Sequence, residues 1–194
     1  KATDGLSQYD LSKFNPWYFS RLRELADECA AKGLTFIYQA HDNHNVQEAA
    51  AHWAEYAWRQ ANCINPVGFP EPPAWENATQ SRHHIADQYY DVSHAVRRRL
   101  HELYINHILD VLGDSPNFVL TLGYQFAGPL PFQQFFIDTV AAWEKQHGKR
   151  IRLQLQTSKA VTDAILADPV RGAHIDVIDT RYWQYLPDGK LFAP

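Results

Sequence analysis

Cysteine, net charge and long apolar runs are all scarce in this 194-residue chain, and each scarcity excludes a class of protein. Two cysteines, Cys29 and Cys63, are too few for a disulfide framework or a zinc cluster, and both are expected to be unpaired. A formal charge of -4 leaves no basic field to hold a phosphate backbone, and the one dense basic run, Arg97-Arg98-Arg99, falls inside a helical pattern. Nucleic acid is therefore not expected as a partner. No stretch of 18 apolar residues occurs, so no membrane partner is expected either, and Lys1-Ala2-Thr3-Asp4-Gly5 lacks the apolar core of a signal peptide. No Gly-rich phosphate turn and no metal-ligand signature of the usual spacing is present, so no cofactor is expected.

What is present points elsewhere. A hydrophobic content of 45% supports a real core and rules out a disordered chain. Six Trp and ten Tyr exceed the needs of an ordinary core, and many lie in polar, Pro-rich stretches. Aromatic rings flanked by Asp, Asn, His and Arg make a wet stacking surface, which suits sugars with their alternating C–H faces and hydroxyls.

Along the chain, Asn15-Pro16 reads as the cap and first turn of a helix with Phe19, Leu22, Leu25, Ala26 and Cys29 on one face, stopped by Gly33. Leu34 to Tyr38 reads as a strand buried on both faces, followed by His41-Asp42. Residues 43–91 form a long irregular excursion with a short helix near 46–57, the kind of loop that carries function. A helix then runs from about Ser93 to Leu112, burying Val96, Leu100, Leu103, Tyr104, His107, Ile108 and Val111, and Gly113 ends it.

The unit repeats: strand Asn117 to Leu122, helix Pro131 to His147, strand Ile151 to Leu155, helix Ser158 to Asp168, strand Ile175 to Ile178. Strict alternation of this kind gives an α/β fold with parallel strands joined by right-handed crossovers. The expected architecture is a (β/α)8 TIM barrel present as a partial barrel of about four βα units, forming one domain over 1–194. A flavodoxin-like sheet obeys the same rules but needs a ligand loop at a helix start. A complete barrel takes roughly 250 residues, so the remaining segments are expected outside this chain.

In a barrel the reacting residues stand at the strand C-termini. Those four points carry His41, Asp42, Asn43 and His44; Gly123-Tyr124-Gln125-Phe126-Ala127-Gly128-Pro129; Gln156-Thr157-Ser158-Lys159; and Asp179-Thr180-Arg181-Tyr182-Trp183. All are polar or aromatic. The stretch Ala30 to Leu34 through His41 resembles the third strand of clan A glycoside hydrolases, which ends in a substrate-binding His. Asn117 to Leu122 is similar to the fourth, which ends in the general acid/base Glu.

More closely, the chain resembles a group of secreted bacterial barrel proteins grouped with glycoside hydrolases. The resemblance takes in His52-Trp53, Trp58-Arg59, Glu71-Pro72-Pro73, Tyr89-Tyr90-Asp91, Trp143-Glu144 and Asp176 to Asp179 with Arg181-Tyr182-Trp183. It implies hydrolysis of glycosidic bonds in a complex plant or algal polysaccharide, with an oligo- or polysaccharide as partner and a secreted or periplasmic location. Where that group would carry Gly-Glu-Glu-Phe-Thr-Gly-Pro, this chain has Gln125 at the acid/base position. The clan's nucleophile is expected on a seventh strand, beyond Pro194.

Retaining hydrolysis needs two carboxyls about 5 to 5.5 Å apart, and Gln125 cannot transfer a proton. It reads as a natural loss or rewiring, an engineered Glu→Gln, or a position displaced from the acid/base. Asp179 is the better replacement and Glu71 the other; Asp179 alternatively orients Arg181. The catalytic candidates are thus Gln125 and Asp179, and the substrate-binding ones are His41, Asn43, His44, Trp58, Arg59, Trp75, Tyr124, Arg181, Tyr182 and Trp183. Trp53 and Trp58 divide evenly between packing and stacking, whereas Trp143 reads as core. Arg59 offers a fork that would suit an acidic sugar. Lys159 either joins the strand-end cluster or pairs with Asp163. Two other readings stand beside hydrolysis: a non-catalytic carbohydrate-binding barrel, and a metal-dependent hydrolase using His41 and His44 with Asp42.

Overall fold

In the computed structural model, which describes residues 1–41, 46, 53–71, 88–123 and 128–180, Asn15 caps the first helix as its residue type predicts. Its side chain accepts from the backbone N–H groups of Trp17 and Tyr18, and Pro16 occupies the first turn of α1 (Pro16–Ala31). Phe19, Leu22 and Ala26 are buried. Leu25, expected beside them, is 52% exposed because it lies roughly a quarter turn from the centre of that stripe. Gly33, at φ +70°, ends the helix in a Schellman motif: Gly33 N–H bonds to Ala30 O and Leu34 N–H to Cys29 O. Leu34 thus belongs to the helix cap and not to the following strand.

Strand β1 accordingly runs Phe36–His41, later than expected, and includes His41. It is followed by α2 (Ala95–Leu112), β2 (Phe118–Gly123), α3 (Leu130–His147), β3 (Arg152–Leu155), α4 (Lys159–Leu166), α5 (Pro169–Gly172) and β4 (Ile175–Ile178). The helix expected over 158–168 is α4, ending at Leu166, and α5 follows it from Pro169, because Pro169 cannot continue the hydrogen-bond ladder and Asp168 caps a new turn. The strands form one parallel sheet in the order β1-β2-β3-β4, with Gln39, Thr121, Gln154 and Val177 in one row across it. The fold is α/β, a four-stranded parallel sheet with helices in its connections.

The two faces of the sheet differ. Alternate residues Tyr38, Ala40, Leu120, Leu122, Leu153 and Leu155 join the main hydrophobic cluster with Leu109, Phe136 and Val140 of the helices. The opposite face carries Ile37, Val119, Thr121, Gln154 and Val177. Val119 stands outside that cluster, and Ile37 and Val177 are 48% and 39% exposed. The expectation of a first strand buried on both faces is therefore corrected: only one face of β1 meets the main core.

Helix α2 buries Arg97, Leu100, His101, Ile105, Ile108, Leu109 and Leu112, a stripe rotated from the expected one; Val96, Leu103, Tyr104 and Val111 are only partly buried. Its two polar members have partners inside. Arg97 donates from Nε to Val67 O at 2.7 Å, from Nη1 to Gln88 O at 2.7 Å and from Nη2 to Gly68 O at 3.0 Å, and lies 4.2 Å over the Phe69 ring. It therefore pins the long excursion to the helix layer. The described part of that excursion holds one 3-10 turn at Trp53–Glu55, so the expected helix does not continue to residue 57.

Gly113 closes α2 where no larger residue fits: a Cβ there would lie 2.5 Å from both Leu109 O and Trp143 Cη2. Trp143 is buried, as expected, and its Nε1 donates to Asp110 at 2.8 Å. Glu144, beside it, accepts from Ile151 N–H at 2.7 Å and from Arg150 at 2.9 Å, joining the end of α3 to the start of β3. Cys29 and Cys63 are free thiols. No helix among the described residues is long and apolar enough to cross a membrane.

Candidate functional site

Parallel pairing brings all four strand ends to one edge, and each end carries what its sequence placed there. β1 ends in His41, β2 in Gly123, β3 is followed by Gln156-Thr157-Ser158, and β4 by Asp179-Thr180. Asp179 stays on the ladder through its N–H to Leu155 O at 2.9 Å. Its Oδ2 accepts from Gln156 Nε2 at 2.6 Å and from Gln154 Nε2 at 3.5 Å. Both glutamines are buried. Two buried atoms near this cluster, Gln156 Oε1 and Thr121 Oγ1, have no hydrogen-bond partner among the described residues. Burying such groups unpaired is costly, so a site with a carboxylate, an amide oxygen and a hydroxyl suits a ligand rich in hydroxyls. Lys159 pairs with Asp163 on its own helix, one of its two expected roles.

His41, expected as a sugar contact, sits at the buried end of β1. It is 3% exposed, packed among Tyr89, Tyr104 and Phe132. Its Nε2 lies 3.2 Å from His101 Nδ1, and His101 Nε2 lies 3.0 Å from Tyr89 O. A carbonyl only accepts, so His101 carries its proton on Nε2 and receives a hydrogen bond from His41 Nε2–H. Burial, with the neighbouring His101 second, holds His41 well below the usual histidine range, the Leu122 backbone opposing weakly. Burial likewise pushes His101 down to about 4, against the Tyr89 carbonyl and aided by the Arg97 charge. Both rings are neutral near pH 7.

This pair borders a cavity of about 360 Å³ whose lining includes His41, Phe14, Tyr56, Trp58, Tyr89 and Tyr104. Trp58 stacks on His101 with centroids 4.7 Å apart and planes 19° from parallel. Trp53 is buried against Phe69 and Tyr56. Of the two tryptophans, Trp58 thus faces the cavity and Trp53 packs. Arg59 does not offer a free fork: its Nε donates to both Glu71 oxygens, at 3.0 and 2.9 Å, and its Nη1 to Ala54 O. That pairing also engages Glu71, the second candidate acid.

The structure brings His41 and Trp58 together at the cavity and sets Asp179 among glutamines three strands away, about 14 Å at ordinary strand spacing. Asn43, His44, Trp75, Tyr124, Gln125, Arg181, Tyr182 and Trp183 lie outside the described residues, as does Asp42. Among the described residues no group of three or more His, Cys, Asp or Glu could hold a metal ion. Sequence reasoning passed over Gln154, Thr121, His101 and Tyr104. The available signal was positional: His101 falls in helical register with Leu100, Ile105 and Ile108, and Thr121 and Gln154 interrupt otherwise apolar strands.

A family model described as Domain of unknown function (DUF6298) matches residues 1–194, the whole chain. No curated protein and no solved structure gives a match.

Proposed function

We propose a function from the premise that the chain belongs to the DUF6298 family: it is a glycoside hydrolase-like (β/α)8 barrel acting on glycosidic bonds of a complex plant or algal polysaccharide. The strand order supports the barrel. An open doubly wound sheet reverses direction at its ligand crevice, whereas β1-β2-β3-β4 winds one way, as a closing barrel requires. The face with Ile37, Val119, Thr121, Gln154 and Val177, outside the helix-covered cluster, suits a barrel interior.

The observation that carries the sugar reading is the strand-end cluster of Asp179 with Gln156, Gln154 and the unpartnered Gln156 Oε1 and Thr121 Oγ1. Amides and hydroxyls hold sugar hydroxyls, and the carboxylate supplies the one group there able to move a proton. Hydrolysis needs a second carboxyl.

A carbohydrate-binding barrel without hydrolysis is the second reading, favoured by one observation. Asp179 is the only carboxylate at a strand C-terminal end among the described residues. The unaltered chain and Asp179→Asn, assayed for reducing ends released from plant and algal polysaccharides and for retention on the same polymers, separate the two. Hydrolysis lost in Asp179→Asn with an unchanged circular dichroism spectrum supports the enzyme. Retention without hydrolysis selects binding. Neither activity in the unaltered chain refutes the carbohydrate reading.

A further inference from the structure

The cavity beside β1 has a chemistry distinct from that of the Asp179 cluster. It lies where the N-terminal segment 9–14, the end of β1, the turn at 56–58 and α2 meet. Its walls are rings: Phe14, Tyr56, Trp58, Tyr89 and Tyr104, with the half-exposed Tyr9 at the opening. Several are fixed before any ligand arrives. Trp58 is stacked on His101 and set edge-on to Tyr89 at 5.0 Å, and Tyr104 OH is 3.2 Å from Tyr38 OH. Rigid walls of this kind lose little entropy on binding.

The charges around it are compensated. Asp10 at the rim is 3.3 Å from Lys13 and accepts from the Ser12 backbone and hydroxyl. Arg59, adjacent to Trp58 in the chain, is held by Glu71. His41, 3% exposed, is neutral. A cationic ligand would find no unpaired carboxylate among these lining residues, and an anionic one no unpaired cation. A ring with an apolar face finds π-faces to stack on. The volume, at the small end of the range for ligand pockets, holds one ring and not a chain.

We propose that this cavity is a subsite for one uncharged pyranose residue, walled by Trp58, Tyr89 and Tyr104 and separate from the Asp179 cluster. It takes its ligand class from the carbohydrate reading above, narrows it to neutral sugars, and assigns it a location at the end of β1, away from Asp179.

The test is titration calorimetry of the whole chain with methyl glucoside, methyl xyloside, galacturonate and glucosamine, repeated on Trp58→Ala, Tyr9→Ala and Asp179→Asn. The expected result is binding of a neutral glycoside roughly tenfold tighter than of either charged sugar, weakened roughly tenfold by Trp58→Ala and severalfold by Tyr9→Ala, with binding still present in Asp179→Asn. Tyr9 is half-exposed, so its variant keeps the fold even if Trp58→Ala melts early. Equal binding of charged sugars overturns the proposal. So does binding lost only in Asp179→Asn, or no monosaccharide binding by a chain that still binds or cleaves polysaccharide; both leave the strand-end reading standing. Failure of every sugar and polymer removes both.

Discussion

Replacing Arg97 tests whether the frame of the cavity is built as described. The side chain is 4% exposed and gives three hydrogen bonds to backbone carbonyls from two separate segments, Val67-Gly68 and Gln88, besides covering Phe69. In Arg97→Ala those carbonyls lose their donors in a place water reaches poorly. A hydrogen bond to a charged group is worth about 1.5 to 3 kcal/mol, and the three share one side chain and so do not add. Lost stem packing contributes as well. The expected cost is about 3 to 5 kcal/mol, or a fall in Tm of roughly 10 °C for a chain of this size.

Arg97→Lys keeps charge and stem but cannot span three carbonyls, so it should recover less than half of that loss. Arg21→Ala, which removes an exposed pair with Glu24, should cost under about 1 kcal/mol and serves as control. Urea unfolding followed by tryptophan fluorescence reports all three, with sugar binding on the same samples. Tyr89 adjoins Gln88, so the glycoside affinity should fall with Arg97→Ala at temperatures where the fold survives. If Arg97→Ala and Arg21→Ala cost the same, the carbonyl cluster does not organise this region and the reasoning is wrong.

Three further outcomes follow from other contacts. His101 titrates near 6.5 in the unfolded chain and at about 4 when folded, so the unfolded chain takes up a proton first as pH falls. Stability is then full above about pH 6.5 and lost on the way down to 4, by roughly 2 kcal/mol for His101 at pH 5; His41 adds in the same direction, and His101→Asn should flatten the profile visibly in denaturant titrations at pH 5 and 7.5. Gly113→Ala should cost about 1 to 3 kcal/mol through collision with Trp143 and Leu109 O, and less when combined with Trp143→Leu; additive thermal shifts would contradict the contact. Glu144→Ala should lose about 1 to 3 kcal/mol, chiefly by leaving the buried Ile151 N–H without its acceptor while Arg150 keeps Asp176, and a midpoint within about 0.5 kcal/mol of the unaltered chain would show that β3 is anchored by other contacts.

Element types were legible because short apolar runs and capping residues act locally. β4 falls at Ile175–Ile178 as read, β2 is displaced by one residue, and Asn15 and Ser158 cap as their side chains dictate. The errors share a cause. Leu34 was assigned to a strand, but the left-handed turn at Gly33 draws its N–H into the helix cap. The buried stripe of α2 was misplaced because it left out Arg97 and His101, whose burial only the carbonyls of Val67, Gly68, Gln88 and Tyr89 make tolerable. The site was legible in the same uneven way. Asp179 was found from its position after a buried strand, whereas Gln154 on the neighbouring strand and Thr121 beside it on the next look like ordinary strand residues until the register is known.

The sequence by itself therefore determined an alternating α/β chain with parallel strands, polar and aromatic strand ends, and Trp143 in the core, because periodicity, caps and runs act over a few residues. Tertiary structure alone decided that Arg59 is committed to Glu71, that Trp58 and not Trp53 faces a cavity, and that His41 leans on His101 instead of opening to solvent. Each of those outcomes depends on a partner distant in the chain, 12 residues away for Glu71 and 60 for His101. Which donor meets which acceptor across such distances is set by packing, and local pattern carries no record of it.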